Sequence, residues 1–202
     1  MESDDHPINY DLSRALSTFD VPYNFVLSYH YELPFAQLFG RDRWSRGWIL
    51  AGITRFASGT PVTLSDSGDR SLLGTGNAGA GSAVDRPDCA LGGNLQLDAN
   101  DPRTRLPYFN TSIFSRELIG QYGTYNQRFF HGPGTNNFDA SLLRDMRLTE
   151  SKIVQFRFEF FNAFNPAQFG NPNGSVTNAN FGKVTSARSA RVAQIAMNIY
   201  AE

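Results

Sequence analysis

One glycine-rich segment could in principle bind the phosphates of a nucleotide. From Gly74 to Gly79 it reads Gly-Thr-Gly-Asn-Ala-Gly, which fits the G-x-G-x-x-G pattern of dinucleotide-binding loops. That chemistry needs a strand before the glycines and a helix after them, because the helix N-terminus holds the pyrophosphate. The next residues contain Gly81 and end at Pro87, so no helix is expected there. The segment is interpreted as a flexible loop.

Histidine, cysteine and acidic residues could bind a metal ion or assist a nucleophile. His6, His30 and His131 lie far apart in the sequence and lack carboxylates at metal-ligand spacing. The segment 66–69, Asp-Ser-Gly-Asp, supplies too few ligands for calcium and is interpreted as a turn. Cys89 is the single cysteine and is interpreted as a passive loop residue. With no G-x-S-x-G motif either, we expect no enzyme, no metal site and no cofactor.

The composition excludes two further classes of protein. Lys and Arg number 18 against 19 Asp and Glu, so the basic footprint of a nucleic-acid-binding protein is missing. No run of about 18 apolar residues occurs, which excludes a transmembrane helix. The chain is instead rich in aromatic residues, with 17 Phe and 8 Tyr, and has 18 Gly and 10 Pro. This mixture favours strands joined by long loops.

The most informative charged residues, Arg157 and Glu159, alternate with phenylalanines. Because residues two apart in a strand share a face, Phe156, Phe158 and Phe160 lie opposite the two charges. A half-buried strand of a soluble protein could show the same alternation. Three phenylalanines opposite charges are nevertheless typical of transmembrane barrels, which have lipid outside and water inside. The charges either guide a polar solute or only fix the strand register, and in both cases they mark the water side.

Six strands with a two-residue period are predicted. They cover residues 20–33, 47–58, 137–148, 152–164, 181–187 and 191–200. The region 59–136 is predicted to be a long loop, rich in Gly, Asn, Asp and Pro. A structureless stretch of this length is uncommon in a compact soluble domain, whereas extracellular loops of barrels are long.

The third and fourth strands are predicted to form an antiparallel hairpin, because only a short polar connector separates them. With Thr149 and Glu150 at the tip, Leu142 faces Phe158 across the hairpin. Arg144 then falls on the apolar side near the turn. An arginine facing lipid costs only about 0 to 1 kcal/mol near the interface, and it can extend its head group towards water.

The predicted fold class is all-β: an antiparallel up-and-down meander of about six strands, forming part of a transmembrane β-barrel with long extracellular loops. The lipid-facing candidates are Trp48, Leu50, Phe56, Phe138, Leu142, Phe156, Phe158 and Phe160. The lumen-facing candidates are Arg55, Asp139, Ser141, Arg157 and Glu159.

Several stretches, each weak alone, form a specific combination. They include Gly47-Trp-Ile-Leu-Ala-Gly-Ile53, His131-Gly-Pro-Gly-Thr-Asn-Asn-Phe-Asp-Ala-Ser-Leu142 and Phe156-Arg-Phe-Glu-Phe-Phe-Asn-Ala-Phe-Asn165. Others are the segments 17–20, 25–35, 58–61, 86–88, 108–110 and 168–172. Together, over about residues 10–200, they resemble the C-terminal barrel of TonB-dependent outer-membrane receptors, most closely the Oar-like group.

The resemblance implies a bacterial outer-membrane barrel of about 22 strands, of which this chain supplies roughly the last six. Such receptors take up a bulky solute, for instance a metal chelate or an oligomer. The implied partners are the rest of the barrel, its plug domain, the TonB complex through the plug, the barrel-assembly machinery and membrane lipid. The last strand, with Ile195, Met197, Ile199 and Tyr200, would carry the assembly signal. No nucleic-acid partner is implied.

Two further expectations concern topology and completeness. With the chain ends in the periplasm, loops 59–136 and 165–186 face outside and the turns near 36–43 and 148–151 face inside. An open sheet leaves unpaired edges that hydrocarbon does not tolerate, so the chain is not expected to span a membrane or to transport alone. The alternative is a secreted soluble β-sandwich, such as a glycan-binding module, in which the phenylalanine face packs on a second sheet.

Overall fold

The computed structural model describes residues 2–3, 14–40, 42, 44–72, 85–90, 92–97, 101–124, 126 and 128–201. Its strands are β1 (Glu2–Ser3), β2 (Arg14–Ala15), β3 (Asn24–Glu32), β4 (Trp48–Ala57), β5 (Asp88–Cys89), β6 (Phe114–Ser115), β7 (Thr135–Thr149), β8 (Lys152–Phe161) and β9 (Val192–Ala201). A short helix, α1 (Phe35–Leu38), and the 3-10 turns Pro102–Thr104 and Thr111–Ile113 complete the elements. The glycine motif at 74–79 and His6 lie outside the described residues, so the predictions made for them stay predictions.

Five long strands form one antiparallel sheet in the order β3-β4-β7-β8-β9. Each strand pairs with the next long strand along the chain, which is the up-and-down meander predicted from the sequence. Strand pairs outside this sheet, β1-β2 and β5-β6, are only two residues long where the chain is described. Among the described helices, none combines the length and the apolar character that crossing a membrane requires.

The prediction of a strand at 181–187 is wrong. These residues make only isolated bridges, including one between Phe181 and Asn173 and one between Lys183 and Pro107. Gly182 has a φ of +75°, which interrupts an extended backbone, and a Cβ there would lie 2.4 Å from the Thr111 side chain. Five of the six expected long strands are therefore present in the described chain. β8 also ends three residues before its predicted limit, at Phe161, because Asn162 adopts a φ of +53°.

The β7-β8 hairpin has the predicted register. Leu142 pairs with Phe158, and a register shift lies beside the turn, between Arg147 and Thr149. Leu142 also pairs with Leu50 on β4, and Phe158 pairs with Ile195 on β9. Together with Tyr31, which pairs with Leu50, they form one apolar row across all five strands. The face that carries this row is called the apolar face.

The opposite surface of the same sheet is called the polar face. One of its rows contains His30, Ala51, Ser141, Glu159 and Gln194, which follow one another through the paired positions of the five strands. The sheet is therefore apolar on one side and largely polar on the other. That difference arises from a two-residue period maintained in register from β3 to β9.

Most of the long connections form a second compact unit, residues 1–22, 58–134 and 169–187. Its core residues are Val62, Leu64, Tyr108, Phe109, Phe114, Phe130 and Val184. The Phe109 ring meets the rings of Phe114, Phe130 and Phe181 edge-on, with centroids 5.1–5.7 Å apart. Such pairs add about 0.5–1.5 kcal/mol each beyond the buried area. The predicted loop thus contains no long strand in its described part, yet it has a packed core.

Candidate functional site

The eight lipid-facing candidates all lie on the apolar face. They are Trp48, Leu50, Phe56, Phe138, Leu142, Phe156, Phe158 and Phe160, at positions that share one side of the sheet in every paired register. Much of this face is open, since Phe160 is 43 % exposed and Ile195 is 75 % exposed. A continuous exposed apolar surface of this kind marks a site of interaction with another apolar phase. Contact with lipid remains the prediction.

The assembly-signal candidates divide between the two faces of β9. Ile195, Met197 and Ile199 lie on the apolar face and Tyr200 on the polar face, as the alternation predicted. Their recognition by an assembly machinery remains a prediction.

The five lumen-facing candidates, Arg55, Asp139, Ser141, Arg157 and Glu159, lie on the polar face. Two of them contact each other, because Arg157 donates a hydrogen bond to Glu159. Gln194 on β9 also donates to Glu159, so this carboxylate is held by both neighbouring groups. The bond from Gln194 to Glu159 therefore ties β9 to β8, which fits the interpretation that these charges fix register. Of the remaining three, Ser141 pairs with Glu159 across the hairpin, and Arg55 and Asp139 lie farther along the sheet.

A cavity of about 320 Å³ lies at the end of the polar face where the chain leaves the sheet for its long connections. We call it the polar cleft. Arg55 and Asp139 line it together with residues that sequence reasoning did not single out. Those are Thr135, Asn137, Phe161, Asn162, Gln168, Arg188, Ser189, Ala190 and Val192. The cleft thus combines strand residues with the turn after β8 and the segment before β9.

Asn162 shapes one wall of the polar cleft. Its backbone N–H donates to Asp139 Oδ1 at 2.9 Å, and its side-chain Nδ2 donates to the Pro166 carbonyl at 3.2 Å. Gln168 fastens the same turn to β7, because its Oε1 accepts from the Asn136 N–H at 3.1 Å and its amide donates back to the Asn136 carbonyl. The turn is consequently held at both of its ends.

The Oδ1 atom of Asn162 is buried and meets no hydrogen-bond donor among the described residues. A buried acceptor left in this state costs about 1–3 kcal/mol. Native structures contain few buried polar atoms without a hydrogen-bond partner. Where such an acceptor lines a cavity, a donor from solvent or from a ligand can satisfy it. No sequence signal marks Asn162, since its role depends on contacts with Asp139 and Pro166.

The opposite end of the sheet is aromatic. The guanidinium of Arg144 lies 4.7 Å from the ring centroid of Trp44 and 5.2 Å from that of Trp48. Arg144 is only 7 % exposed, so it stacks between rings instead of extending into solvent as the sequence suggested. Phe35 of α1 packs against Trp48 at 6.2 Å and Phe39 at 5.9 Å. Transmembrane barrels carry such aromatic girdles at their two interfaces.

The comparison with protein-family models agrees with this geometry. A model of a family described as an outer membrane beta barrel domain matches residues 2–194. The chain belongs to this outer membrane beta barrel domain family. Comparison with curated proteins gave no match, and neither did comparison with solved structures.

Membership identifies an outer-membrane protein and accounts for a location in the bacterial outer membrane in general. In an outer membrane beta barrel domain, strands alternate between a lipid-facing apolar side and a water-facing polar side. The five-stranded sheet shows this alternation, with exceptions such as Ile53 on the polar face and Arg144 on the apolar face. Much of the apolar face of the five-stranded sheet is exposed, which does not favour the β-sandwich alternative, in which a second sheet covers that face.

The loop unit of this outer membrane beta barrel domain contains an ion pair between the exposed Arg116 and the buried Asp66. Arg116 donates to both carboxylate oxygens of Asp66, at 2.6 and 2.9 Å, and the Gly68 N–H donates to Asp66 at 2.8 Å. The last contact is the turn predicted from the Asp-Ser-Gly-Asp segment. Burial raises the pKa of Asp66, but the bonds from Arg116 and Gly68 outweigh it, so the pKa lies below its usual value.

Glu117 lies beside this ion pair and is 1 % exposed. Neither of its carboxylate oxygens has a hydrogen-bond partner among the described residues. Burial, with the nearby charges of Asp66 and Asp85, raises the pKa of Glu117 to about 6. Within the described ranges, no three His, Cys, Asp or Glu side chains are grouped to hold a metal ion. The contacts of Asp66 with Arg116 and Gly68 are structural contacts within the loop unit.

Two other groups singled out from the sequence also belong to the loop unit. His131 Nε2 lies 2.9 Å from Asp20 Oδ2, and this contact could not be predicted from the sequence because the two residues are 111 positions apart. Cys89 is partly buried against the aromatic core, and this burial raises the pKa of its thiol. Both contacts hold distant parts of the loop unit together.

Proposed function

We propose that the chain is the C-terminal barrel segment of a TonB-dependent outer-membrane receptor of the Oar-like group. The receptor takes up a bulky solute, either a metal chelate or an oligomer. The observation that carries the proposal is the meander, whose sheet has an apolar face and a polar face. Family membership supports the barrel, and the resemblance over residues 10–200 supports the receptor class.

The two edges of the sheet support a larger barrel. Within the described residues, β3 and β9 each pair with a long strand on one side only. Unpaired backbone groups are not tolerated in hydrocarbon, so further strands must complete both edges. We assign them to the remainder of the same barrel, which also encloses a plug domain. The plug contacts the TonB complex, and the barrel-assembly machinery inserts the strands into lipid.

In this proposal the chain performs no chemical step and holds no cofactor. Its apolar face contacts acyl chains, and its polar face lines the lumen beside the plug. Loops 59–136 and 165–186 lie outside the cell and the hairpin turn at 148–151 lies in the periplasm. The chain contributes a lumen wall to transport and is not competent alone.

The test isolates the native protein that carries this chain from outer-membrane vesicles after photocrosslinking in living cells. The proposal predicts one polypeptide long enough for about 22 strands and a plug. It also predicts a crosslink between that polypeptide and TonB that a protonophore weakens. A native polypeptide of only 202 residues that closes a barrel with copies of itself, and that never crosslinks to TonB, would contradict the receptor.

A solubility measurement addresses the sandwich alternative. The barrel segment is expected to aggregate in buffer and to need detergent or lipid. Cooperative unfolding of residues 1–202 in detergent-free buffer, by tryptophan fluorescence, would support the soluble module instead.

A further inference from the structure

We propose that the polar cleft binds a hydroxyl-rich anion of the size of one hexuronate unit. This assignment of the solute rests on the proposed receptor function. The receptor was proposed to take up either a metal chelate or an oligomer, and the cleft favours an oligomer of acidic sugars. Three features of the cleft carry the assignment: its excess of positive charge, its unsatisfied buried acceptor and its exposed aromatic ring.

The charge of the cleft favours an anion. Arg55 and Arg188 line it against a single carboxylate, Asp139. One oxygen of Asp139 already accepts from the Asn162 N–H. Among the described residues neither arginine has an acidic partner within ion-pair distance, and Arg55 uses its Nε to bind the neutral Asn24 side chain at 3.0 Å. A carboxylate matches the guanidinium groups in charge and geometry.

The buried acceptor favours hydroxyl groups on the same ligand. Asn162 Oδ1 needs a donor, which a bare carboxylate cannot supply. A sugar hydroxyl donates to this oxygen and can accept from a neighbouring amide or hydroxyl at the same time. Thr135, Asn137 and Ser189 line the cleft and offer such groups. The lining therefore suits a ring with several hydroxyls around one carboxylate.

The apolar part of the lining and the volume favour a single ring at a time. Phe161 is 44 % exposed and borders the cleft together with Ala190 and Val192. Its ring can cover the C–H face of a sugar, while the sugar hydroxyls point to the polar wall. A volume of about 320 Å³ lies at the lower end of the 300–1,000 Å³ typical of ligand sites. Further units of an oligomer would extend along the lumen.

The test uses the native protein that carries this chain, purified in detergent from outer membranes. Saturation-transfer NMR measures the binding of D-galacturonate, of D-galactose, which keeps the hydroxyls, and of acetate, which keeps the carboxylate. Galacturonate is expected to bind roughly tenfold or more tightly than either comparator, because only it satisfies both groups of the cleft. Equal binding of acetate and galacturonate, or no binding of galacturonate, overturns the proposal.

Two matched variants locate the site. Arg188→Gln removes one cleft arginine from an exposed segment and is expected to reduce the galacturonate preference over galactose to about twofold or less. Arg147→Gln makes the same change on the polar face at the other end of β7 and should leave the preference intact. If both variants lose the galacturonate preference equally, or if Arg188→Gln keeps it, the anion binds elsewhere and the proposal is overturned.

Failure of this proposal and failure of the receptor proposal have different signatures. A long polypeptide that crosslinks to TonB but does not distinguish galacturonate from acetate keeps the receptor and overturns the cleft. A polypeptide that never crosslinks to TonB but binds galacturonate through Arg188 overturns the receptor and keeps the cleft.

Discussion

Arg144 illustrates how a charged residue is accommodated on the apolar face. Its guanidinium is covered by Trp44 and Trp48 at one end of the sheet, where water and lipid are both within reach in a barrel. Cation-π contacts of this kind contribute about 0.5–2 kcal/mol, more when the cation is desolvated. Trp44 was not singled out from the sequence, because it precedes β4 and its contact with Arg144 spans 100 positions.

The first residue-scale prediction is that Arg144→Lys lowers the free energy of unfolding by about 0.5–2 kcal/mol, because an ammonium lacks the planar surface that stacks on two indoles. Denaturant titration in detergent micelles, followed by tryptophan fluorescence, measures the change. The control is Arg147→Lys, an exposed position three residues along the same strand, expected within about 0.5 kcal/mol of the original protein. An equal loss of unfolding free energy in both variants would contradict a stabilising role of the Trp44 and Trp48 rings.

A second prediction concerns Glu117 in the loop unit. Burial raises the pKa of Glu117 from its ordinary value of 4.5 to about 6, so the folded state binds the proton more tightly than the unfolded state. The resulting stability is complete below about pH 4.5 and is lost as the pH rises through 6, a change of about 2 kcal/mol. Glu117→Gln should abolish that fall.

Hydrogen exchange of the loop unit between pH 4 and pH 7, corrected for intrinsic rates, measures the effect of Glu117. Glu150→Gln, at the exposed hairpin turn, is the control and should keep the pH dependence. Asp66 titrates below this window because its pKa is lowered, so it does not mask the effect. If protection from exchange in Glu117→Gln still falls with rising pH as it does in the original protein, a group other than Glu117 causes the fall.

At the scale of elements, the hairpin was predictable and the polar cleft was not. The β7-β8 register follows from a short polar connector and from a period shared by both strands, which are local in sequence. The segment 181–187 has similar alternation, but Phe181 and Val184 pack into the aromatic core instead of joining the sheet. The cleft brings Arg55 together with Arg188, and no local pattern can reveal contacts between positions so far apart.

The prediction at this scale is that Leu142→Arg prevents the hairpin from entering lipid. Leu142 lies in the middle of the apolar row, between Leu50 and Phe158, where an arginine costs about 2–4 kcal/mol in a membrane. Ser141→Arg, one residue earlier on the polar face and opposite Glu159, should be tolerated. The two variants are made in the native protein that carries this chain, and the fraction folded in lipid vesicles, read from heat modifiability on gels, distinguishes them. Comparable insertion of both would contradict the assignment of the faces.

At the scale of the whole molecule, the family, the sheet and the aromatic composition are consistent with one another. Sequence reasoning predicted the all-β class because barrels retain a two-residue period even where average hydropathy looks soluble. It did not predict that the long connections would form a unit with its own core around Phe109. Loop aromatics lack periodicity, so their packing partners become visible only in three dimensions.

We expect the apolar face to contact lipid and the polar face to contact water, and spin-label accessibility distinguishes the two environments at single residues. Single cysteines, in a Cys89→Ser background, replace Leu142, Phe158 and Ile195 on one face and Ser141 and Gln194 on the other. Collision rates with oxygen and with a water-soluble nickel chelate are measured in outer-membrane vesicles. Collisions with oxygen are expected to dominate at the first three positions and collisions with the chelate at the last two. Chelate access at all five positions, or the reverse pattern, would contradict this expectation.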